Sequence, residues 1–391
     1  MHLALTTEQE AFRTAVREYF SGVMTPEIRD KQMRYELDSS TYKALIRRIG
    51  ADGWLCVSWP AEYGGRGLSA VEQFLYYDEV QRLGVPIPFL STNTVGPTVM
   101  RYGTDEQKAW VLPGILRGEI HFSIGYSEPE AGTDLASLRT RAVRDGDEYV
   151  INGQKMWTSL VHHADYVWLA CRTDADAPKH KGISILMVPT DAEGFSWTKV
   201  NTMGGGLTSA TYYSDVRVPV ANLVGGENQG WKLMTNQLNE ERVALSSSGV
   251  IERRLTEVRR WAQETKLPDG RRVIDQEWVQ LNLARVRAKL AYLRLLNWKV
   301  AWGVAPEALA PADASAMKVY GSEFGIEAYR LLMEVVGQNA TVKKGSPGEV
   351  LEGDLEIAIR AAPILTFVGG TNEIQRDIIA TLGLGMPRSP R

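Results

Sequence analysis

The chain has 391 residues, 44% of them hydrophobic and 23% charged, with a formal net charge of -3. That is enough chain for two or three lobes around a substantial core, and the charge balance excludes an electrostatic grip on nucleic acid or on an anionic membrane. The two cysteines, Cys56 and Cys171, stand far apart and outside any Cys/His cluster, which argues against a disulfide framework and a zinc site and fits a reducing cytosol.

Residues 1–120 read as a helical domain by apolar periodicity. The opening stretch "MHLALTTEQEAFRTAVREYF" is a capped amphipathic helix, with Thr at the cap and Glu or Gln three residues on, and not a signal peptide. No apolar run reaches transmembrane length. "SSTYKALIRRIGADGW" begins at serine caps and ends at glycines, and "LSAVEQFLYYDEVQRLG" is a further helix with a glycine stop. "GTDEQKAWVLPGILRGE" predicts a short helical pair broken at Pro113.

Residues 121–228 change character. "EYVING", "YVWLACR", "GISILMVP", "FSWTKV" and "ATYYSDVRVP" are short, rich in β-branched and aromatic residues, and separated by turn formers. They predict a compact antiparallel sheet domain or a small barrel. "NTMGGGLTS", between two of these strands, reads as a flexible turn. No Gly-x-Gly-x-x-Gly follows a strand, so a Rossmann dinucleotide site is not supported.

Residues 229–391 return to helical spacing. "GWKLMTNQLNEERVALSSSGVIERRLTEVRRWAQET", "DQEWVQLNLARVRAKLAYLRLLNWKVAWG" and "PADASAMKVYGSEFGIEAYRLLMEVVG" are three long helical stretches, and residues 352–383 carry one or two more. Long helices with few breaks predict a bundle. "GQNATVKKGSPGEV" is the predicted mobile loop. The fold class is therefore α+β, with helices, a β domain and a helical bundle in that order.

Four motifs resemble the acyl-CoA dehydrogenase family, and they occur in the family's order. "YSEPEAGTDLASL" resembles its Thr-Glu-Pro-x-Ala-Gly-Ser-Asp segment, and "INGQKMWTS" its Asn-Gly-x-Lys-x-Trp-Ile-Thr segment. "SDVRVPVANLVGGENQGW" resembles the Asp-Val-x-Val-Pro run before the first bundle helix, and "GGTNEIQRDII" the C-terminal signature. The resemblance implies a C-terminal four-helix bundle, FAD as cofactor, and oxidation of an acyl-CoA to its α,β-unsaturated thioester. Ser127, Thr133 and Ser159 would then face the polar edge of the flavin, and Trp157 would pack on its ring. Thr371 would sit at a helix N-terminus favourable for a pyrophosphate, with Glu373 in the same cofactor-binding run. Read alone, each hydroxyl equally fits a satisfied turn or cap, and Trp157 fits core packing.

The reaction needs a base for the α-proton. Most of the family carries a glutamate just before the Gly-Thr of the C-terminal signature, where this chain has Gly369. A minority takes the base from the first bundle helix, immediately before an arginine. That position is Glu241, before Arg242, and Glu240 stands beside it as the alternative. Neighbouring helix positions differ by about 100°, so only one of the two can face the flavin. Arg242 would hold the carboxylate region or the bundle interior. Gly369 would keep its backbone N–H, which in the family polarises the thioester carbonyl together with a ribityl hydroxyl of the flavin.

Two departures point to a partner. The family's Arg-x-x-Phe-Gly is replaced by "KLPDGRRVIDQEW", and its Gly-Gly-x-Gly by "VGQNAT". Both segments normally grip the adenosine half of a neighbour's cofactor. The combination resembles the glutamate-bearing subunit of actinobacterial heteromeric acyl-CoA dehydrogenases of steroid side-chain and cholesterol catabolism. It implies a bulky acyl-CoA substrate, a second acyl-CoA dehydrogenase-like subunit in a heterotetramer, and an electron-transferring flavoprotein as acceptor. The alternatives are a non-catalytic structural subunit, in which the missing glutamate records lost chemistry, and an acyl-CoA oxidase on the same fold.

Overall fold

The structure, a computed structural model, describes residues 4–241, 247–303 and 310–387, with residues 238–241 and 302–303 described by their backbone only. The N-terminal helices are α1 (Thr7–Val23), α2 (Pro26–Met33), α3 (Ser39–Ala51), α4 (Ala70–Arg82), α5 (Gly96–Tyr102) and α6 (Asp105–Leu116). Thr6 caps α1 through a reciprocal bond pair with Gln9, as the sequence pattern implies. Two local expectations differ from what is found. The cap of α3 is Asp38, whose carboxylate accepts the Thr41 N–H at 2.9 Å, because a charged acceptor competes best for the positive end of a helix. The Ser39 hydroxyl goes instead to the His162 carbonyl and to His163 Nδ1, both at 2.7 Å. Pro113 does not split α6. It lies in the last turn, and burial of Val111, Leu112 and Ile115 outweighs the one backbone bond it removes.

The middle region is one sheet of β1 (Phe122–Gly125), β2 (Arg141–Asp145), β3 (Glu148–Lys155), β4 (Tyr166–Arg172), β5 (Ile183–Pro189), β6 (Phe195–Asn201), β7 (Leu207–Pro219) and β8 (Leu223–Val224). Strand order is β6-β7-β3-β2-β4-β5-β8, with β1 on β4. The sheet is mainly antiparallel, but β4 pairs in parallel with both β1 and β2. One face packs on the N-terminal helices, through Trp168, Ile185 and Met187. The other closes over a second core containing Tyr149, Ile151 and Val167.

The C-terminal helices are α7 (Gly230–Glu241), α8 (Gly249–Glu264), α9 (Glu277–Gly303), α10 (Pro311–Val336), α11 (Asp354–Ala361) and α12 (Asn372–Ile378). Helices α8 to α11 share one apolar core, including Val258, Leu290, Leu332 and Leu355. The first long stretch read from the sequence is two helices, α7 and α8. The start of α8 is capped from the N-terminal region: the Asp78 carboxylate accepts the Gly249 N–H at 2.8 Å and the Ser247 and Ser248 hydroxyls at 2.9 Å. The loop expected to be mobile is tied down where Lys344 pairs with Asp30 at 2.5 Å and Glu352 at 2.8 Å. Among the described residues no helix is long and apolar enough to cross a membrane.

Candidate functional site

Two of the quoted motifs form one unit. Lys155, at the end of β3, is fully buried, and its ammonium donates to the Glu128 carboxylate at 2.7 Å and to the Tyr126 carbonyl at 3.0 Å. Glu128 also accepts the Arg139 N–H at 2.7 Å and the Thr140 N–H at 2.8 Å. Burial pushes Glu128 up, but the Lys155 charge and the two amides more than reverse it, so the carboxyl is held below its usual range. Burial draws the Lys155 ammonium down, against the pull of Glu128. The pair clamps the loop after β1 onto the end of β3. Neither residue was singled out from the sequence, because nothing local pairs positions 27 residues apart.

The clamp sets out the hydroxyls expected at the flavin edge. Ser127 is half-buried, and its carbonyl accepts the Met156 N–H at 2.8 Å. Ser159 is exposed, with its hydroxyl at 3.3 Å from Thr208 Oγ1, and its carbonyl is held by the Ser123 hydroxyl at 2.8 Å. Thr133 is exposed on the same loop as Ser127. Trp157 is 57% exposed and has φ +65°. Core packing is therefore excluded for Trp157. A left-handed tryptophan costs conformational energy, and here it leaves a flat aromatic face uncovered by the chain. Leu160 repeats the left-handed conformation at φ +62° and is also exposed.

The second element is the turn before α12. Gly369 has φ +65° and Gly370 φ +87°. The Gly369 carbonyl accepts from Gln375 Nε2 at 3.2 Å, and the Gly370 carbonyl from Lys318 Nζ at 2.8 Å. Among the described residues neither glycine N–H donates to a protein acceptor. Both carbonyls are thus held by side chains, and both amides are left without a protein acceptor. Ile364, Phe367 and Val368 form an exposed apolar rim beside them. Thr371 caps α12, its hydroxyl accepting the Ile374 N–H at 3.3 Å. Glu373 is exposed, and its carboxyl is held below its usual range by its own backbone N–H and by the Thr371 hydroxyl. The side chains of Thr371 and Glu373 are thus satisfied within their own helix turn.

The glycine-rich turn between β6 and β7 ties the first element to α11. A Cβ on Gly204 would stand 2.8 Å from Ala361 Cα, so the backbone of this turn abuts α11 where only glycine fits. The Arg360 guanidinium donates to the Met203 carbonyl. On its other side β7 carries Leu207 and Thr208, which contact Leu160 and Ser159. The turn is a structural bridge and not the free loop that its composition suggests.

The base candidates come next. The side chains of Glu240 and Glu241 and the whole of Arg242 lie outside the described residues. The two positions point in different directions around α7. Among the α7 side chains that are described, Gly230, Leu233, Met234 and Gln237 are buried. At about 100° per residue, position 241 lies about 40° around the helix from Gln237, and position 240 about 60° to the other side. The buried face meets the loop carrying Ser127: Trp168 Nε1 donates to the Tyr126 hydroxyl at 3.2 Å, and Tyr126 donates to Gln237 Oε1 at 2.7 Å.

Family models match in three consecutive pieces: acyl-CoA dehydrogenase N-terminal domain over residues 6–119, middle domain over 123–216 and C-terminal domain over 228–383. The chain belongs to the acyl-CoA dehydrogenase family. It is similar to acyl-CoA dehydrogenase FadE26 of Mycobacterium tuberculosis, 59% identical over the whole of both chains. Acyl-CoA dehydrogenase FadE29 of the same organism is 47% identical, again over all of both chains. Among solved structures, a chain of the ChsE4-ChsE5 complex from Mycobacterium tuberculosis superposes with a TM-score of 0.93 at 59% identity, covering all of both chains. A chain of the Tcur3481-Tcur3483 steroid acyl-CoA dehydrogenase superposes with a TM-score of 0.93 at 51% identity, also over all of both. The family is flavin-dependent. The exposed Trp157 face and the adjacent hydroxyls fit an aromatic, hydrogen-bond-accepting cofactor, and the acceptor-free glycine amides fit a carbonyl substrate.

Proposed function

We propose that this chain catalyses α,β-desaturation of a bulky acyl-CoA, of the steroid side-chain type, with Glu241 as the base and FAD as cofactor. The observation that carries the reading is the turn at Gly369. It offers amides without a protein acceptor and has no carboxylate of its own.

Gly369 N–H donates to the thioester carbonyl oxygen and stabilises the charge that develops there as the α-proton leaves. Glu241 takes that proton on a carboxylate oxygen; its basicity rises as bound substrate excludes water. Trp157 and the rim of Ile364, Phe367 and Val368 keep the reacting carbons dry. Ser127, Thr133 and Ser159 hold the polar edge of the cofactor and fix its orientation. When bound, FAD accepts the β-hydride. The turn at Thr371 and Glu373 is assigned to the phosphate side of FAD by family position alone. Arg242 is assigned to the substrate pocket on the same ground. With only hydrogen at position 369, the acyl pocket is open on that side, which suits a substituent built on a ring system.

We also propose that the working enzyme is a heterotetramer with a second acyl-CoA dehydrogenase-like subunit, and that an electron-transferring flavoprotein removes the electrons. The names of the two solved complexes support a hetero-oligomer. So does an exposed apolar stripe on α9, Trp278, Leu281, Tyr292 and Leu295, at helical spacing.

The test is anaerobic bleaching of the flavin by a panel of acyl-CoA esters, with wild type and Glu241→Gln purified alone and with the partner subunit. Bleaching by a steroidal acyl-CoA that is lost in Glu241→Gln, with FAD still bound, is the expected result. Undiminished bleaching in that variant moves the base to Glu240 or to the partner. Absence of FAD under every condition makes the chain a structural subunit.

A further inference from the structure

The acyl-CoA carbonyl site rests on two consecutive glycines, which have no side chains to fix them and the largest backbone freedom to lose. Something else must hold the turn. Lys318, on α10, is 2% exposed, and its ammonium donates to three acceptors around that turn: the Thr366 carbonyl at 3.2 Å, the Gly370 carbonyl at 2.8 Å and Asn372 Oδ1 at 2.7 Å. An ammonium has three donors, and these three contacts bracket residues 366–372. The Asn372 carboxamide is itself set by the Ser322 hydroxyl at 3.0 Å and by Glu323 at 3.1 Å. Between the pinned ends, Val368 N–H is tied to the Ile364 carbonyl at 3.0 Å and the Gly369 carbonyl to Gln375. Because each peptide unit is planar, the held Thr366, Gly369 and Gly370 carbonyls fix the amides of Phe367, Gly370 and Thr371, and the Gly369 amide lies between these pinned peptide units.

We propose that Lys318 is a positioning residue for the carbonyl site: its buried ammonium holds the 366–372 turn so that the Gly369 amide points at the thioester oxygen. The inference rests on the assignment of Gly369 under the proposed function. Burying an ammonium is costly, and a methionine would fill the same space without that cost. The positive charge also lies behind a site where negative charge develops. A lysine that merely tied α10 to α12 would matter for stability and not for the electronic state of a bound thioester.

The experiment reads that state directly. An aromatic α,β-unsaturated acyl-CoA absorbs at longer wavelength when its carbonyl oxygen is hydrogen-bonded. Its spectrum is taken bound to the FAD-saturated complex in wild type, Lys318→Met, Lys318→Gln and Lys318→Arg. Wild type is expected to shift the band. Lys318→Met and Lys318→Gln are expected to lose more than half the shift, with FAD occupancy retained and the bleaching rate down about a hundredfold. Their KM for the acyl-CoA should change much less. Lys318→Arg, which keeps the charge, should recover part of the shift. Should Lys318→Met fail to fold, Lys318→Gln decides. A full wild-type shift in whichever neutral variant folds overturns the role of Lys318 and leaves the proposed function standing. No shift in wild type overturns the carbonyl site at Gly369 itself.

Discussion

Replacing Glu128 by glutamine tests the clamp under the Trp157 face. The substitution keeps the size of the side chain and removes its charge. Lys155 then loses a charge-assisted bond of 2.7 Å while remaining fully buried, which costs about 1.5–3 kcal/mol. The carboxamide presents one acceptor oxygen where the carboxylate met two amides, from Arg139 and Thr140, so one further bond of about 1 kcal/mol is lost. The sum, about 2.5–4 kcal/mol, overlaps the cost of breaking a buried ion pair from one side. Urea unfolding, with hydrogen exchange at β3 as a local probe, measures it. The double variant Glu128→Leu/Lys155→Met should recover most of the loss, because no unpaired charge remains buried. The sign of the pH effect follows from Glu128 being held below its usual range. Its contribution is present above the unfolded carboxylate value and lost as pH falls through the folded one, so Glu128→Gln should flatten the acid side of the stability profile. A single-variant loss under about 1 kcal/mol, or a double variant as unstable as the two singles summed, would refute the reasoning.

Trp157→Gly should raise the stability of the FAD-free chain by about 1 kcal/mol, since it relieves a left-handed tryptophan that is mostly exposed; FAD retention on a desalting column should fall in the same variant. Gly370→Ala places a Cβ 2.6 Å from Gln375 Nε2 at φ +87°, which costs about 1–2 kcal/mol of folding stability. By dislodging Gln375 from the Gly369 carbonyl it should also slow flavin bleaching more than tenfold, read by stopped flow. Asp78→Ala removes the acceptor for the Gly249 amide and for two serine hydroxyls; a loss of about 1–3 kcal/mol and faster hydrogen exchange at the start of α8 are expected. Burial draws both His121 and His163 from 6.5 down to about 4. The folded state therefore binds fewer protons than the unfolded chain between those values, and stability falls as pH drops from about 6.5 towards 4, by on the order of 3 kcal/mol for each histidine. A melting temperature that stays level across that window would contradict it.

Much of the fold is legible from the chain alone because it is written locally. The box at Thr6 and Gln9, the strands Tyr166–Arg172 and Ile183–Pro189, and the long helices α9 and α10 follow from caps, branching and apolar spacing within a few residues. The order of the four motifs carried the family. What escaped is what depends on distant partners. β2 has four outward residues and no apolar alternation, so only its neighbours β3 and β4 make it a strand. β1 is four residues long, and its parallel pairing with β4 cannot be inferred from residues 122–125. The cap on α8 comes from Asp78, about 170 residues upstream of the amide it receives.

For the site the same division holds. The sequence by itself determined the hydroxyls, the tryptophan and the missing side chain at Gly369, because these are residue types at fixed spacing within short motifs. Only the tertiary structure decided that Trp157 faces outward, that Lys155 and Glu128 weld two motifs together, and that the glycine-rich turn is a bridge. It alone brought Lys318, 51 residues away in sequence, behind the turn of Gly369. The physical reason is range: turns, caps and periodicity act over one or two helical turns, whereas a buried charge must find its partners wherever the packed chain brings them.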